Sequence, residues 1–452
     1  MNNKHFITTH THTNTHTSNM AMENKKQDVV LDGPKKLVAA FPDKELSLAS
    51  RSVHADDYIN NHQAVAPPMH VSTTFRYSDD PDKLVSWENT NPNAPYDSHV
   101  YSRDSAPNTT RFEALLSSII GAPCLSYASG LAAFHAMIVF LNPKRVAIGG
   151  GYHGCHGILG IINKLNGLEK LELENENDLN KLQPGDVIHV ETPLNPTGEA
   201  RDLEYYRRKA DELGCYLTVD ATFAPPPLMD PFQYGVDIVM HSATKYFGGH
   251  SDMLSGVLAV RPDRAEADLE NGKKGWIREL RDERLHLGGV MGSLEGWLGV
   301  RSLRTLELRV KRQSESAQAL VDFFAAEKEK EGSLAGGLVY KIQHASQQPE
   351  AKVEGSWLRK QMPNGFGPVF SIWLKSEEHA KRLPSKLHLF HHATSLGGIE
   401  SLIEWRAMTD PKVDRRLLRV SIGVEGWEDL RDDLLQGLQK LKEELGNWDV
   451  KG

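Results

Sequence analysis

Apolar runs of four or five residues recur between positions 124 and 240, and each has the length and composition of a buried strand. Segments with a helical spacing of apolar residues separate them, including 131–141 and 203–213, and Asp202 is placed to cap the second of these. Strands that alternate with helices predict a mostly parallel, doubly wound α/β sheet. The runs cover residues 124–127, 144–148, 187–190, 216–219 and 237–240.

The pattern changes after residue 260. A long helical pattern runs from Leu294 to about Glu327, and residues 298–312 within it are predicted to bridge to a second, smaller α/β domain. That domain is predicted to hold strands at 367–374 and 417–423. A closing helix is predicted from four residues that share one apolar face, namely Trp427, Leu430, Leu434 and Leu438.

The first hundred residues lack a core-forming pattern. Residues 1–46 are polar and rich in His and Thr at their start, and they are predicted to form a disordered tail because they have little apolar surface to bury. Residues 47–105 have short, interrupted apolar groups, and Pro67–Pro68 breaks any helix, so an extended arm that packs on a neighbouring subunit is predicted. The predicted domains proper are 106–300 and 301–452.

The composition argues against several classes of protein. A chain of 452 residues exceeds the usual size of one core, so two or more domains are expected. The net charge of -8 argues against nucleic acid as a partner. No apolar stretch reaches the ~18 residues of a membrane span, so a cytoplasmic protein is expected. Cys124, Cys155 and Cys215 have no CxxC spacing, which indicates a reducing compartment without a disulfide framework.

A lysine follows the last of the buried runs. Lys245 lies just past the predicted strand, and the cost of desolvating an ammonium there tends to lower the pKa of its amine. A neutral amine can form a Schiff base with an aldehyde cofactor. The hydroxyls of Ser242 and Thr244 suit a phosphate beside that amine. We therefore predict that Lys245 carries pyridoxal phosphate, a solvated loop lysine being the alternative for this stretch alone.

A phosphate-binding turn is predicted at Ser129–Gly130. It joins the strand at 124–127 to the apolar helix at 131–141. Free N–H groups and the dipole at a helix N-terminus both favour an anion, which gives Gly130 and Leu131 a phosphate-binding role. An ordinary strand–helix turn is the alternative.

Polar residues at other strand ends supply further groups that the cofactor requires. Tyr152 follows the second run after a string of glycines and can stack on a ring. Asp220 ends another strand, where a carboxylate can keep a pyridine nitrogen protonated, although a solvated turn residue has the same sequence pattern. Because the carboxyl ends of parallel strands line one crevice, Tyr152, Asn195, Asp220 and Lys245 are expected in one cleft.

Two arginines are candidate anion ligands. Arg103 lies beside Tyr101 in an extended piece, where it either reaches a phosphate or makes a surface pair. The helix that follows is predicted to be capped by Thr109 or Thr110. Arg419 lies in a short β-like run, and a buried arginine needs an anion, either a substrate carboxylate or a structural salt bridge.

Taken together, these motifs resemble the transsulfuration, or Cys/Met metabolism, family of pyridoxal-phosphate enzymes over about residues 50–445. The resemblance is specific because separate motifs occur in the family's order. They are YSR at 101–103, ASG at 128–130, Tyr152, ETPLNPT at 191–197, VDATF at 219–223, HSATKY at 241–246, SLGGIESL at 395–402 and RVSIGVE at 419–425.

The resemblance implies fold type I of the pyridoxal-phosphate-dependent transferases and a homotetramer built from two tight dimers, in which Tyr101 and Arg103 reach the cofactor of the adjacent chain. Lys245, Tyr152 and Asp220 are the implied catalytic residues. The implied cofactor ligands are Tyr101, Arg103, Ser129, Gly130, Leu131, Tyr152, Asn195, Asp220, Thr222, Ser242, Thr244 and Lys245. The predicted substrate contacts are Asn195, Thr394, Ser395, Arg406 and Arg419.

The resemblance also implies a reaction. The YHGCHG and TFAPPP variants are similar to fungal proteins often labelled cystathionine γ-synthase. They imply γ-replacement on O-acetyl- or O-succinyl-homoserine, through a vinylglycine-type ketimine that accepts a sulfur or carbon nucleophile. Lys245 is then expected to shuttle protons, with Tyr152 as acid or base near the γ-carbon. A β- or γ-lyase acting on cystathionine or methionine is the alternative within the family.

Several positions depart from the family's pattern. Ala221 and Ala106 stand where the family has asparagine, and Thr394 stands where many γ-synthases and γ-lyases have a glutamate that meets a distal amino group. A common proline is replaced around Trp405–Arg406. The acceptor side is therefore altered, and Arg406 can supply a cation for an acidic acceptor.

Two functions of other classes complete the alternatives. A metal-binding protein could use the histidine-rich tail with His153, Cys155 and His156, but no second set of ligands lies nearby in sequence, and no metal is predicted. The second alternative is a non-catalytic scaffold protein, and the intact Lys245, Asp220 and Arg419 argue against it.

Overall fold

The computed structural model of the protein describes residues 45–59, 64–86, 99–266 and 275–449, with side chains up to residue 444. The predicted tail lies outside them apart from its last two residues, and the limits predicted for the domains stay predictions. None of the helices within these ranges is long and apolar enough to cross a membrane.

The larger of two sheets has seven strands in the order β1-β7-β6-β5-β4-β2-β3. The strands from β3 across to β6 are parallel, and β7 is antiparallel to both of its neighbours. Each of the five predicted strands is present with ends within one residue of the predicted ones, whereas β3 and β7 were not predicted. The strands are β1 Cys124–Tyr127, β2 Arg145–Ile148, β3 Glu169–Glu172, β4 Val187–Glu191, β5 Tyr216–Asp220, β6 Ile238–His241 and β7 Gly256–Val260.

Helices cover both faces of this sheet. Successive strand residues point to opposite faces, so Ile188 packs in the same core as Phe112 of α2, whereas Val187 packs in the core that contains Phe134 of α3. The doubly wound α/β prediction is confirmed. The helices are α1 Leu48–His54, α2 Pro107–Ile120, α3 Gly130–Leu141, α4 His153–Asn166, α5 Glu176–Leu179, α6 Leu203–Leu213, α7 Pro262–Ala265, α8 Trp276–Leu287, α9 Ser293–Leu303 and α10 Leu306–Lys328.

Two predicted helix ends differ from the structure. Helix α2 begins at Pro107 after Ala106, not at a cap on Thr109 or Thr110, because proline suits the first helical position, where no N–H bond is lost. The predicted helix from 294 to about 327 is broken between α9 and α10. The carbonyl of Ser302 accepts hydrogen bonds from Thr305 Oγ1 at 3.2 Å and from Arg309 Nη2 at 3.0 Å, which replace the regular helical ladder at the break.

The described part of the predicted arm includes the α-helix α1, so the arm is not extended throughout. Helix α1 is followed by Asp56, which is fully buried and forms ion pairs with Arg111 and Arg304. Arg51 also donates to the carbonyl of Ser118 at 2.8 Å. These bonds fix the start of the arm to the outside of the larger sheet's helices.

The smaller sheet has five strands in the order β10-β11-β12-β9-β8, antiparallel except for the β10–β11 pair. Its core includes Leu430, Leu434 and Leu438 on one face of the last helix, as predicted, with Trp427 packed at its edge. The strands are β8 Val339–Gln343, β9 Val369–Leu374, β10 His391–His392, β11 Leu402–Trp405 and β12 Leu417–Ser421. The helices are α11 Leu334–Leu338, α12 Trp357–Gln361, α13 Glu377–Arg382 and α14 Trp427–Asp449.

Candidate active site

A cavity of about 510 Å³ lies where the carboxyl ends of the parallel strands face the smaller sheet. Its walls come from the turns after β1, β2, β4, β5 and β6, and from the segments before β11 and on β12. Most of the predicted site residues line it together. They are Ser129, Gly130, Leu131, Tyr152, Asn195, Asp220, Thr222, Ser242, Thr244, Lys245, Thr394, Ser395, Arg406 and Arg419.

Lys245 lies in the turn after β6, with its amine in this cavity. Its Nζ donates a hydrogen bond to Ser395 Oγ at 2.8 Å. Burial and the nearby charge of Arg419 lower the pKa of the amine to about 8, against the opposing effects of Glu404 and Asp220. A sizeable fraction of the amine is therefore neutral close to physiological pH, as a Schiff-base lysine requires.

Asp220 is the buried carboxylate at the end of β5. Its Oδ1 accepts hydrogen bonds from the backbone N–H of Thr222 at 2.9 Å and from Thr222 Oγ1 at 2.6 Å. Burial raises the pKa of this carboxyl, and these hydrogen bonds and Lys245 oppose the rise. Thr222 in turn accepts a bond from the Ser242 N–H at 2.8 Å, so it links the ends of β5 and β6.

Glu191 is a second buried carboxyl that the sequence reasoning did not single out. It lies directly opposite Asp220 in the β4–β5 register. Its two oxygens accept the backbone N–H groups of Tyr152 at 2.8 Å and of Asn195 at 2.7 Å. Burial and the neighbouring Asp220 raise its pKa to about 8. Glu191 thus fixes the backbone at Tyr152 and Asn195, two of the predicted cofactor ligands.

The turn between β1 and α3, predicted to bind a phosphate, lies in the wall of the cavity. Ser129 caps α3 by accepting the N–H of Ala132 at 3.1 Å, and the first N–H groups of the helix have no acceptor within it. A Cβ on Gly130 would lie 3.1 Å from the Cβ of Ser242, so the turn and the Ser242 hydroxyl are close together. Only glycine gives the backbone this approach.

The hydroxyl of Thr244, predicted to contact a phosphate, makes two hydrogen bonds to the backbone of the protein. Its hydroxyl donates to the carbonyl of Ser255 at 3.1 Å and accepts the Ser255 N–H at 3.0 Å. These bonds close the loop between β6 and β7. Thr244 therefore shapes the floor of the cavity in addition to lining it.

Tyr152 precedes α4 at the mouth of the cavity and is 38% exposed. Burial of the rest of the side chain raises the pKa of its hydroxyl, and Arg406 opposes this rise. The hydroxyl is therefore protonated at neutral pH. The ring of His153 is a tilted neighbour, at 4.9 Å between ring centroids.

Arg419 on β12 is buried within a network of acceptors. Its Nη2 lies 2.6 Å from Glu404 Oε2 and donates to the Ser395 carbonyl at 2.7 Å, and its Nη1 donates to Asn195 Oδ1 at 3.2 Å. Burial lowers the pKa of the guanidinium to about 10, and Glu404 opposes the shift. The structural salt bridge, one of the two predicted alternatives, is present. Arg419 also lines the cavity, and its contact with a substrate carboxylate stays a prediction.

A family model described as Cys/Met metabolism PLP-dependent enzyme matches residues 49–439. The chain belongs to this family. It is therefore a pyridoxal-phosphate-dependent enzyme with the fold of that family, as the motifs predicted.

Relatives within the family have different reactions in their names. Cystathionine beta-lyase MetC of Bacillus subtilis is 31% identical over 396 residues, which are 84% of this chain and 92% of the relative. Cystathionine gamma-synthase of Escherichia coli is 30% identical over 424 residues, or 88% and 98% of the two chains. The crystal structure of metB from Corynebacterium glutamicum has a TM-score of 0.74 at 26% identity and covers 88% of this chain and 98% of that one.

The residues present fit the cofactor of the family. Among the described residues, the hydrogen bonds to Asp220 end on Oδ1, so Oδ2 is available to a protonated ring nitrogen. The turn at Ser129–Gly130 leaves backbone N–H groups for a phosphate, and Lys245 offers its amine in the same cavity. When bound, pyridoxal phosphate supplies an electron sink for a substrate amino acid.

Tyr101 and Arg103 do not line the cavity of their own chain. Tyr101 is 47% exposed and forms an isolated antiparallel bridge with Thr74, and the Arg103 guanidinium lies 5.5 Å from its ring centroid. The structure thus separates the YSR motif from the other predicted residues of the same chain, and the role predicted for it in an adjacent chain stays a prediction.

The candidate zinc residues do not form a ligand cluster. Throughout the described ranges there is no group of three or more His, Cys, Asp or Glu side chains arranged to hold a metal ion. Cys155 lies on the buried face of α4, and burial raises the pKa of its thiol.

Proposed function

We propose that this enzyme catalyses γ-replacement on O-acetyl- or O-succinyl-homoserine, with a sulfur or carbon nucleophile as the second substrate. The observation that carries the proposal is the cavity wall made of Thr394, Arg406 and Thr409, which presents hydroxyls and a guanidinium. The carboxylate of Glu404 does not line the cavity and is already bonded to Arg419, Arg406 and Thr409. Such a wall does not suit the distal ammonium of cystathionine.

Each protein group has a task that follows from its position. Arg419 binds the α-carboxylate of the substrate, and Asn195 orients that guanidinium through the bond to its Oδ1. Lys245, with a pKa of about 8, can accept a proton from the substrate at Nζ and return it nearby, while Ser395 Oγ fixes the direction of the amine. Asp220 holds the proton on the ring nitrogen.

Tyr152 lies where the side chain of the substrate leaves the cavity. Because burial keeps its hydroxyl protonated, it first serves as a hydrogen-bond donor or acid toward the departing ester. The Cγ–O bond breaks and releases acetate or succinate, and a new bond forms between Cγ and the nucleophile, whose proton is lost. The balanced products are a substituted amino acid and a carboxylic acid.

A product assay tests this assignment. The holoenzyme is incubated with each homoserine ester, alone and with a panel of thiols and β-keto compounds, and the products are analysed by mass spectrometry. We expect amino acids that have incorporated the nucleophile. Equal amounts of 2-oxobutanoate and ammonia with and without nucleophile would show a lyase instead, the alternative that the name of the Bacillus subtilis relative supports.

We also propose that the active enzyme is a homotetramer of two tight dimers in which Tyr101 and Arg103 serve the adjacent chain. The exposed apolar side chains of the arm support this, since Val65, Val71 and Tyr77 are 100%, 76% and 71% exposed in the single chain. Such surfaces are typical of an interface between subunits.

Subunit mixing tests the shared site. Lys245→Ala and Arg103→Met are expected to be inactive or weakly active alone, because each removes one half of the site. Refolded together in equal amounts, they should recover about one quarter of wild-type activity, since half of the dimers are mixed and each has one intact site. Absence of recovery, with mixed dimers shown by native mass spectrometry, would place Arg103 outside the partner's site.

A further inference from the structure

Arg406 is a buried cation in the cavity wall with an incomplete set of partners. It directly follows β11 and is the first residue of a short 3₁₀ helix, Arg406–Met408. Its side chain is buried, and the residue is 4% exposed. Its Nη1 donates to Glu404 Oε2 at 3.1 Å. Its Nε is buried as well, and no described residue accepts a hydrogen bond from it. A guanidinium without enough acceptors is costly to bury, so its environment calls for a further acceptor.

The charges around it leave a positive excess. The carboxylate of Glu404 faces two guanidiniums, since its Oε2 lies 2.6 Å from Arg419 Nη2 and 3.1 Å from Arg406 Nη1. Its other oxygen, Oε1, accepts the hydroxyl of Thr409 at 2.8 Å. One carboxylate therefore neutralises one of the two cations. The α-carboxylate proposed to bind Arg419 offsets the second cation but leaves the Nε of Arg406 without an acceptor among the described residues, in a cavity wall that Arg406, Arg419 and Thr409 all line.

We propose that Arg406 binds a second carboxylate, at the end of the bound substrates remote from the α-carboxylate on Arg419. The inference rests on the proposed function, because it assigns an acidic group to one of the two reactants of that reaction. The carboxylate comes either from a succinyl group on the homoserine ester or from an acidic nucleophile. A guanidinium suits this task, because its planar fork matches a carboxylate.

Equilibrium binding of unreactive amino acids tests Arg406 independently of the reaction. L-2-aminoadipate and L-2-aminopimelate have a distal carboxylate at two chain lengths, and L-norleucine has a neutral chain. Titration of the holoenzyme, followed by its cofactor absorbance, gives three dissociation constants. In the wild type we expect at least one of the two acidic ligands to bind more tightly than norleucine. Arg406→Gln should abolish that preference, weakening the acidic ligand by about 10- to 100-fold and leaving norleucine unchanged.

Matched variants separate charge from structure. Arg406→Lys retains the cation without the fork, so it should keep a reduced preference for the acidic ligand and remain informative where the glutamine variant does not fold. Arg208→Gln, at an exposed arginine on α6, should change none of the constants. Equal weakening of acidic and neutral ligands in Arg406→Gln, or no preference in the wild type, would overturn the proposal and leave Arg406 as a structural partner of Glu404.

Kinetics identifies which reactant bears the carboxylate. With 2-mercaptoethanol as nucleophile, a selective fall in kcat/KM for O-succinyl- over O-acetyl-homoserine in Arg406→Gln would assign the carboxylate to the donor. With O-acetylhomoserine, a selective fall for mercaptoacetate over 2-mercaptoethanol would assign it to the nucleophile. An enzyme that only eliminates would refute the proposed replacement, yet the binding constants would still show whether Arg406 selects acidic ligands.

Discussion

Replacing Lys245, the lysine proposed to bind the cofactor, should make the cofactor-free protein more stable and should remove the activity. The change is Lys245→Met, which keeps the length of the side chain and deletes the charge. Burial and Arg419 lower the pKa of Lys245 from an ordinary value of 10.5 to about 8, so the folded state disfavours the ammonium. Methionine carries no such penalty in the same space.

The magnitude follows from the two pKa values. A fall from 10.5 to about 8 corresponds to about 3 kcal/mol of destabilisation of the apoprotein below pH 8. The hydrogen bond from Nζ to Ser395 Oγ at 2.8 Å is lost in the variant, which costs about 1 kcal/mol. The expected net gain is about 2 kcal/mol at pH 7, or roughly 2 °C in Tm for a chain of this length.

The gain must also depend on pH. Below pH 8 the lysine is charged in both the folded and the unfolded state, so the penalty is present in full. Between pH 8 and 10.5 the folded protein releases the proton while the unfolded chain retains it, so the penalty disappears as the pH rises. The advantage of Lys245→Met should therefore shrink toward zero by about pH 10.

Thermal unfolding of both apoproteins between pH 7 and 10 measures this difference, after the cofactor has been removed and its absence checked by absorbance. Lys381→Met, at an exposed lysine on α13, is the control and should show no such pH-dependent gain. The reasoning is wrong if Lys245→Met is less stable than the wild type at pH 7, or if the difference in stability does not change with pH. Either result would show that the folded state does not lower the pKa of Lys245.

Three further predictions concern residues that line the candidate active site or stabilise the structure around it. Arg284→Met should destabilise the protein by about 3–5 kcal/mol in urea unfolding, because it leaves the buried Glu113 without its partner at 2.6 Å. Gly256→Ala should weaken cofactor affinity at least about tenfold in a dialysis assay, since the new Cβ would press on the Ser129 carbonyl and lie 2.8 Å from the N of the next residue. Asp220→Asn should lower kcat about 100-fold or more with the fold unchanged, measured by steady-state kinetics and circular dichroism.

The sequence was sufficient for the parts of the fold that local patterns encode. Short apolar runs located five strands of the larger sheet, and the carboxyl-end rule brought Tyr152, Asn195, Asp220 and Lys245 into one cavity. Helix ends were harder to predict from the sequence. Pro107 starts α2 where a threonine was expected, because a proline at the first helical position competes with a side-chain cap.

Glu191 and Glu404 show what local patterns leave out. Each is an acidic residue in an otherwise apolar strand, and that was the available signal in the sequence. Their importance comes from register, since Glu191 faces Asp220 across β4 and β5 and Glu404 faces Arg419 across β11 and β12. A slip of one residue would turn either carboxylate to the opposite face of its sheet. Register between distant strands is set by tertiary packing, so residues spaced along the chain do not reveal it.

The charges of the two sheets are coupled through Arg419. Arg419 lowers the pKa of Lys245, and Glu404, which lies opposite Arg419 on the smaller sheet, raises it. A carboxylate bound at Arg419 adds a negative charge on the same side as Glu404. In the proposed function, substrate binding therefore raises the proton affinity of Lys245 at the stage when its amine takes a proton from the substrate. Burial and Arg419 keep a fraction of the amine neutral, whereas Glu404 and the bound carboxylate favour its protonated form.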